Sequence, residues 1–157
     1  MQKITPFLWF DGKAEEAADF YTSIFKNSKI LNVARYGEAG PGPKGTVMMA
    51  TFQLEGQEFM ALNGGPHYTF SPAISFFVDC ETQAEVDELW EKLSAGGSNL
   101  QCGWLQDKFG VSWQIVPTAL SKLMSDPDRE RTNRVMQALM QMTKIDIQRL
   151  QEAFRGA

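Results

Sequence analysis

Few side chains in this sequence could act together as nucleophile, proton carrier or metal ligand. The single histidine, His67, follows the run Asn63-Gly64-Gly65-Pro66. A loop histidine can gate a cavity mouth or donate a proton; a solvated loop side chain is at least as good a reading. Cys80 and Cys102 have no CxxC-like spacing, so neither announces a zinc site. A reactive thiolate needs a neighbouring cation or imidazole. None stands near Cys102 in sequence, which favours a small buried thiol over a nucleophile. Gln114 lies within an apolar strand pattern, where a buried amide requires partners; it is equally well read as a ligand anchor or as a satisfied structural amide. Trp9 and Trp104 can stack a planar molecule, although core packing explains each taken alone. Asn63 either shapes its turn, the favoured reading, or contributes a polar anchor.

The elements that must position these groups follow one order twice. Lys3 to Phe10 is aromatic and β-branched and predicts a strand. Lys13 to Phe25 has helical spacing, with Ala14, Ala17, Ala18, Tyr21 and Phe25 on one face. Lys29 to Tyr36 reads as a second strand. Gly37 to Gly45 has four glycines and two prolines, which predicts a loop. Thr46 to Leu54 and Gln57 to Leu62 form a hairpin about Glu55-Gly56. The order then restarts with a strand over Ala73 to Cys80. Thr82 is a helix N-cap with Glu85 at the capping-box spacing, and Val86, Leu89, Trp90 and Leu93 supply the buried stripe. Gly96-Gly97 ends that helix. Strands follow over Leu100 to Gln106 and Val111 to Val116, with a short one reduced to Ser98-Asn99 or missing. The fold class expected is α+β, two βαβββ modules over 1–65 and 66–117, with a helical extension over 118–157. In that extension Thr118 caps a short helix, Asp126-Pro127 starts a second, and Asp146 caps a third. The stripe Val135, Met136, Leu139, Met140 and Thr143 must cover either its own chain or a partner subunit, and the partner is favoured.

Composition narrows the function classes. Hydrophobic residues make up 43% and charged residues 22% of the 157, enough for a sizeable core and too apolar for wholesale disorder. A net charge of -4 without any Lys/Arg cluster argues against nucleic acid. The apolar run Ile4 to Phe10 is too short for a membrane span or signal peptide. With two cysteines, a cytoplasmic protein with reduced thiols is expected. No GxGxxG, GxxxxGK[ST], GxSxG or HExxH motif is present.

The segments LWFDGKAEEAADFYTSIF, NGGPHYTFSPAISFFVDC and QCGWLQDKFGVSWQIVP resemble the PhnB-like branch of the vicinal oxygen chelate (glyoxalase-like) superfamily, whose family label is 3-demethylubiquinone-9 3-methyltransferase. The resemblance spans Ile4 to Pro117. It implies paired modules forming a cupped sheet, often as a dimer, with a ligand cavity in each cup. In metal-dependent members, His and Glu side chains of both modules hold one divalent ion. Those positions fall here near Thr5 or Pro6, near Ala61 or Asn63, at Ala73 and at Gln114, none of which is an imidazole or carboxylate.

Alternation along a strand then orients the cup. With Gln114 inward, Ser112 is inward and Trp113 faces the helices. Cys102 and Trp104 share a face, and Ala73, Ser75 and Phe77 point in. The expected site is a metal-free, cofactor-free, largely apolar cup for a small, partly aromatic molecule, lined by Trp9, Asn63, His67, Ser75, Phe77, Cys102, Trp104 and Gln114. A homodimer is expected. An enzyme using His67, Cys102 and Gln114, and an interaction module with a vestigial cup, are the alternatives. No residue is assigned a catalytic role.

Overall fold

A computed structural model describes residues 2–156. The chain divides into two compact units, with the break between Phe70 and Ser71. The first has the order β1 (Phe7–Phe10), α1 (Ala14–Ile24), β2 (Lys29–Arg35), β3 (Val47–Leu54) and β4 (Gln57–Asn63). Its sheet runs β1-β4-β3-β2, with β1 and β4 parallel and the other pairs antiparallel. Ala14, Ala17 and Ala18 are fully buried. Three methyl side chains on one helix face allow α1 to lie close to the sheet, where Tyr21 stacks on Phe52 and Phe52 on Phe59. The β3–β4 turn has Glu55 and Gly56 at φ 50 and 81, the two left-handed residues of a type I′ hairpin. Tyr68 packs edge-on to Trp9, and Phe70 to Phe10, so the chain beyond β4 folds back onto β1.

The second unit contains β5 (Ser75–Cys80), α2 (Gln83–Ser94), β6 (Ser98–Asn99), β7 (Trp104–Gln106) and β8 (Ser112–Pro117). Its order, β5-β8-β7-β6, repeats that of the first. Thr82 caps α2 by accepting from the Glu85 amide at 3.1 Å, and the Glu85 carboxylate accepts from the Glu81 amide at 2.8 Å. Val86, Leu89, Trp90 and Leu93 are buried as the helical spacing predicts.

The strand expected over Leu100 to Gln106 is a correction. Only Trp104–Gln106 is strand, because Cys102 and Gly103 adopt φ 60 and 85 and turn the chain. Their amides donate to the carbonyls of Met142 and Thr143, both at 2.9 Å.

Three helices close the chain: α3 (Thr118–Met124), α4 (Arg129–Leu139) and α5 (Ile147–Arg155). Asp146 caps α5 as expected, accepting from the Arg149 amide. Thr118 does not cap α3; its hydroxyl donates to Asp79 and to the Cys80 carbonyl. The start expected at Asp126-Pro127 falls later, where Asp128 accepts from the Glu130 and Arg131 amides. The helices pack on their own unit: Val135, Leu139, Met142, Ile145 and Leu150 are buried with Val116, and Cys102 and Phe154 pack against them. Gln83 of α2 holds the start of α5 with both ends of its amide, donating to the Ile145 carbonyl and accepting from the Ile147 amide. Of the apolar stripe, Val135 and Leu139 are buried against their own unit, whereas Met136, Met140 and Thr143 are exposed. Met136 and Met140 remain 41% and 60% exposed.

Candidate functional sites in the two modules

In the first unit, the ends of β1 and β4, the start of α1 and the Gly/Pro loop after β2 enclose a half-open cavity of about 790 Å³. Trp9, Tyr36, Val47, Met48 and Leu62 give it an apolar wall, and Asp11, Glu15 and Glu16 line its polar edge. Trp9 is fixed by donation from its indole N–H to the Gly65 carbonyl at 2.9 Å. A Cβ on Gly64 would collide with the indole ring, so glycine there lets the ring lie flat on the backbone. Tyr36, which is not among the residues expected from the sequence, also lines the cavity. Its hydroxyl donates to the Asn63 carbonyl at 2.7 Å, and its ring lies against Gly40 and Gly42. The signal was local: an aromatic at a strand end followed by a loop whose glycines permit close approach.

Asn63 lines this cavity, but its amide is occupied. Its Oδ1 accepts from the Ala14 amide at 2.8 Å and its Nδ2 donates to the Val47 carbonyl at 3.1 Å. It therefore caps α1 and ties β4 to β3, a structural duty in line with the favoured reading of Asn63 as a shaping residue. His67 is exposed in the turn after Gly65 and does not line the cavity.

In the second unit, register places Ser75 beside Ser112, Phe77 beside Gln114, and Trp104 beside Gln114. These side chains share the sheet face opposite α2, while Phe76, Leu105, Trp113 and Ile115 point towards the helix, as alternation requires. Gln114 Nε2 donates to Ser75 Oγ at 2.9 Å. The pair lies on a face with Phe77, 59% exposed, and half-buried Trp104. The Ser112 hydroxyl on this face is buried and has no hydrogen-bond partner among the described residues.

Cys102 departs from the expected set. It sits in the turn before β7, its Sγ 3.7 Å from the Leu139 carbonyl, packed against the C-terminal helices and not beside Trp104 on the sheet face. Cys80 is buried on the helix side. Burial pushes its thiol pKa up to about 12, with the Glu85 and Asp79 charges adding to the effect, so it stays protonated and inert.

The donor set does not fit the divalent ion held by metal-dependent glyoxalase-like proteins. Among the described residues no three His, Cys, Asp or Glu side chains converge as ligands. Ala61 and Asn63 share the α1 side of β4 with buried Phe59, so its open face carries Met60 and Leu62. At the closing position, the Gln114 amide is hydrogen-bonded to Ser75. A first-row cation requires three or four convergent imidazole, thiolate or carboxylate donors.

Two modules of one strand order, each with a helix on one face, define a glyoxalase-like protein of the vicinal oxygen chelate class. Within that class, the chain belongs to the 3-demethylubiquinone-9 3-methyltransferase family, whose signature matches residues 2–116. A PhnB protein from Bacillus cereus bearing the same family name is 49% identical, with a TM-score of 0.69, covering 74% of this chain and 100% of that one. Protein PA1353 of Pseudomonas aeruginosa shares the fold at 22% identity, with a TM-score of 0.62 and coverage of 74% and 98%. The fosfomycin resistance protein FosX of Listeria monocytogenes shares it at 14% identity, with a TM-score of 0.54 and coverage of 78% and 97%. No curated protein sequence matches this chain. The family match ends before α3.

Proposed function

We propose that this protein binds a small, partly aromatic molecule without a metal ion, in the cavity of its first module. The observation that carries the reading is the 790 Å³ space walled by Trp9, Tyr36 and Leu62. Its size lies within the range of about 300–1,000 Å³ typical of small-molecule sites, which pair an apolar lining with a few polar groups. In the second module the Ser75–Gln114 pair, beside Phe77 and Trp104, is a separate neutral group suited to hydrogen-bonding a planar molecule. FosX has been crystallised with Mn(II) and 1S,2S-dihydroxypropylphosphonic acid; the donor chemistry here supports no such ion.

The test is a thermal-shift screen of aromatic metabolites on protein treated with EDTA, repeated with manganese or zinc. Stabilisation that is indifferent to metal supports the reading. Stabilisation only with stoichiometric metal, or by no compound, overturns it. Tyr36→Phe, which removes the strut to Asn63, is expected to weaken binding.

The protein is further proposed to be a cytoplasmic homodimer. Exposed Met136 and Met140 on α4 support an association surface, since adaptable thioethers are common at such surfaces. Light scattering should give twice the 17.6 kDa chain mass, and Met140→Lys should lower it.

A further inference from the structure

Charge separates this cavity from an anion site. Its lining holds three carboxylates, Asp11, Glu15 and Glu16, and no Lys, Arg or His. Lys13 bridges Glu16 at 3.4 Å from outside the lining. Asp11 and Glu15 have no ion pair or side-chain hydrogen bond among the described residues. The start of α1 could have favoured an anion, but Asn63 Oδ1 already takes the Ala14 amide, and Glu15 and Glu16 occupy the first turn. The charged side chains of the lining that a phosphonate or carboxylate would meet here are all of like charge. The carboxylates also do not converge as metal ligands, so the negative edge suits a cation that brings its own apolar body. Trp9 and Tyr36 add ring faces, which attract ammonium groups.

We propose that the first-module cavity selects an organic amine with an aromatic or apolar body, its ammonium held by Asp11 and Glu15 and its body lying against Trp9 and Tyr36. The inference rests on the reading that this cavity binds small molecules and adds the ligand's charge. Opposite charges a few ångströms apart at a protein surface attract appreciably, and like charges repel by a similar amount.

The experiment uses probes of one shape and three charges. Tryptamine, 3-ethylindole and indole-3-propionate are titrated against the full chain by ligand-observed NMR and calorimetry at low and high salt. Tryptamine is expected to bind about tenfold more tightly than the neutral analogue, a ratio corresponding to about 1.4 kcal/mol, with the acid weakest. Asp11→Asn with Glu15→Gln should remove the preference and leave binding of 3-ethylindole intact. Neither side chain has an ion pair or side-chain hydrogen bond among the described residues, so the double variant is expected to retain the packing of the native chain, which its circular dichroism and melting temperature check. Equal binding of the three probes, with Tyr36→Phe weakening all of them, overturns the amine inference and leaves the cavity reading standing. Binding of none overturns both. A preference for tryptamine that survives the double substitution also overturns the assignment to Asp11 and Glu15.

Discussion

The two modules run through the same strand order and meet different needs with it. The first spends its length between β2 and β3 on a nine-residue Gly/Pro loop, Gly37 to Gly45, which closes over Tyr36 and makes a cavity. The second contracts its middle strands to Ser98–Asn99 and Trp104–Gln106 and uses the turn between them to dock helices. Each has a polar strut, half-buried in the first module and buried in the second. In the first, neutral Asn63 joins α1, β3 and β4. In the second, Asp107, 3% exposed, accepts from the Phe109 and Val111 amides and from the Trp113 indole at 2.9 Å. A repeated topology thus fixes where strands lie, and the connections between strands decide which module has space for a ligand.

The struts give the sharpest test of that contrast. Asp107→Ala strands several buried donors at once and should cost about 3–5 kcal/mol in urea unfolding. Asn63→Ala loses a neutral cap and one further bond and should cost about 1–2 kcal/mol. Equal costs would mean that the modules are stabilised alike.

The helical cover is tested next. Leu150 is fully buried, and Leu150→Ala should cost about 3 kcal/mol, within the range for emptied core sites. Met140→Ala, at an exposed position, should change unfolding by less than about 0.5 kcal/mol. A large effect of Met140→Ala on stability, falling with dilution, would place that side chain in an interface.

The smallest expected effect concerns pH. The Cys80 thiol, with a folded pKa of about 12 against an ordinary 9.0, is neutral when folded and ionises more readily when unfolded. Its contribution to stability is present below about 9 and lost as pH rises towards about 12. Cys80→Ala should remove this part of the alkaline destabilisation, read by chemical denaturation at several pH values. Native Cys80 should also resist alkylation. Rapid alkylation would show that the second module opens locally.

Much of this was legible in the residues. Strand and helix patterns, the Thr82–Glu85 capping box and the Glu55-Gly56 turn depend on neighbours a few positions apart, so they survive without tertiary context. The shared face of Ser75, Phe77, Gln114 and Trp104 followed from period two, because no bulge interrupts β5 or β8. Cys102 departs from its expected place beside Trp104 for the complementary reason: two left-handed residues, Cys102 and Gly103, break the alternation. Thr118 and Asp126 look like caps, yet Pro117 and Asp128 hold those positions, since helix ends shift by a residue or two with the packing around them.

By itself, then, the sequence determined the repeated βαβββ order, which is written in local hydrophobic period, and the want of an imidazole–carboxylate ligand set, which is a matter of residue identity. Only the tertiary structure decided that Tyr36 and the glycines after it wall a cavity beside Trp9, that Asp11 and Glu15 line its edge, and that Val135 and Leu139 of the C-terminal stripe pack on their own unit with Cys102. Those outcomes depend on contacts between residues far apart in the chain. Their free energy comes from the surface buried when distant segments meet, which no short window of sequence records.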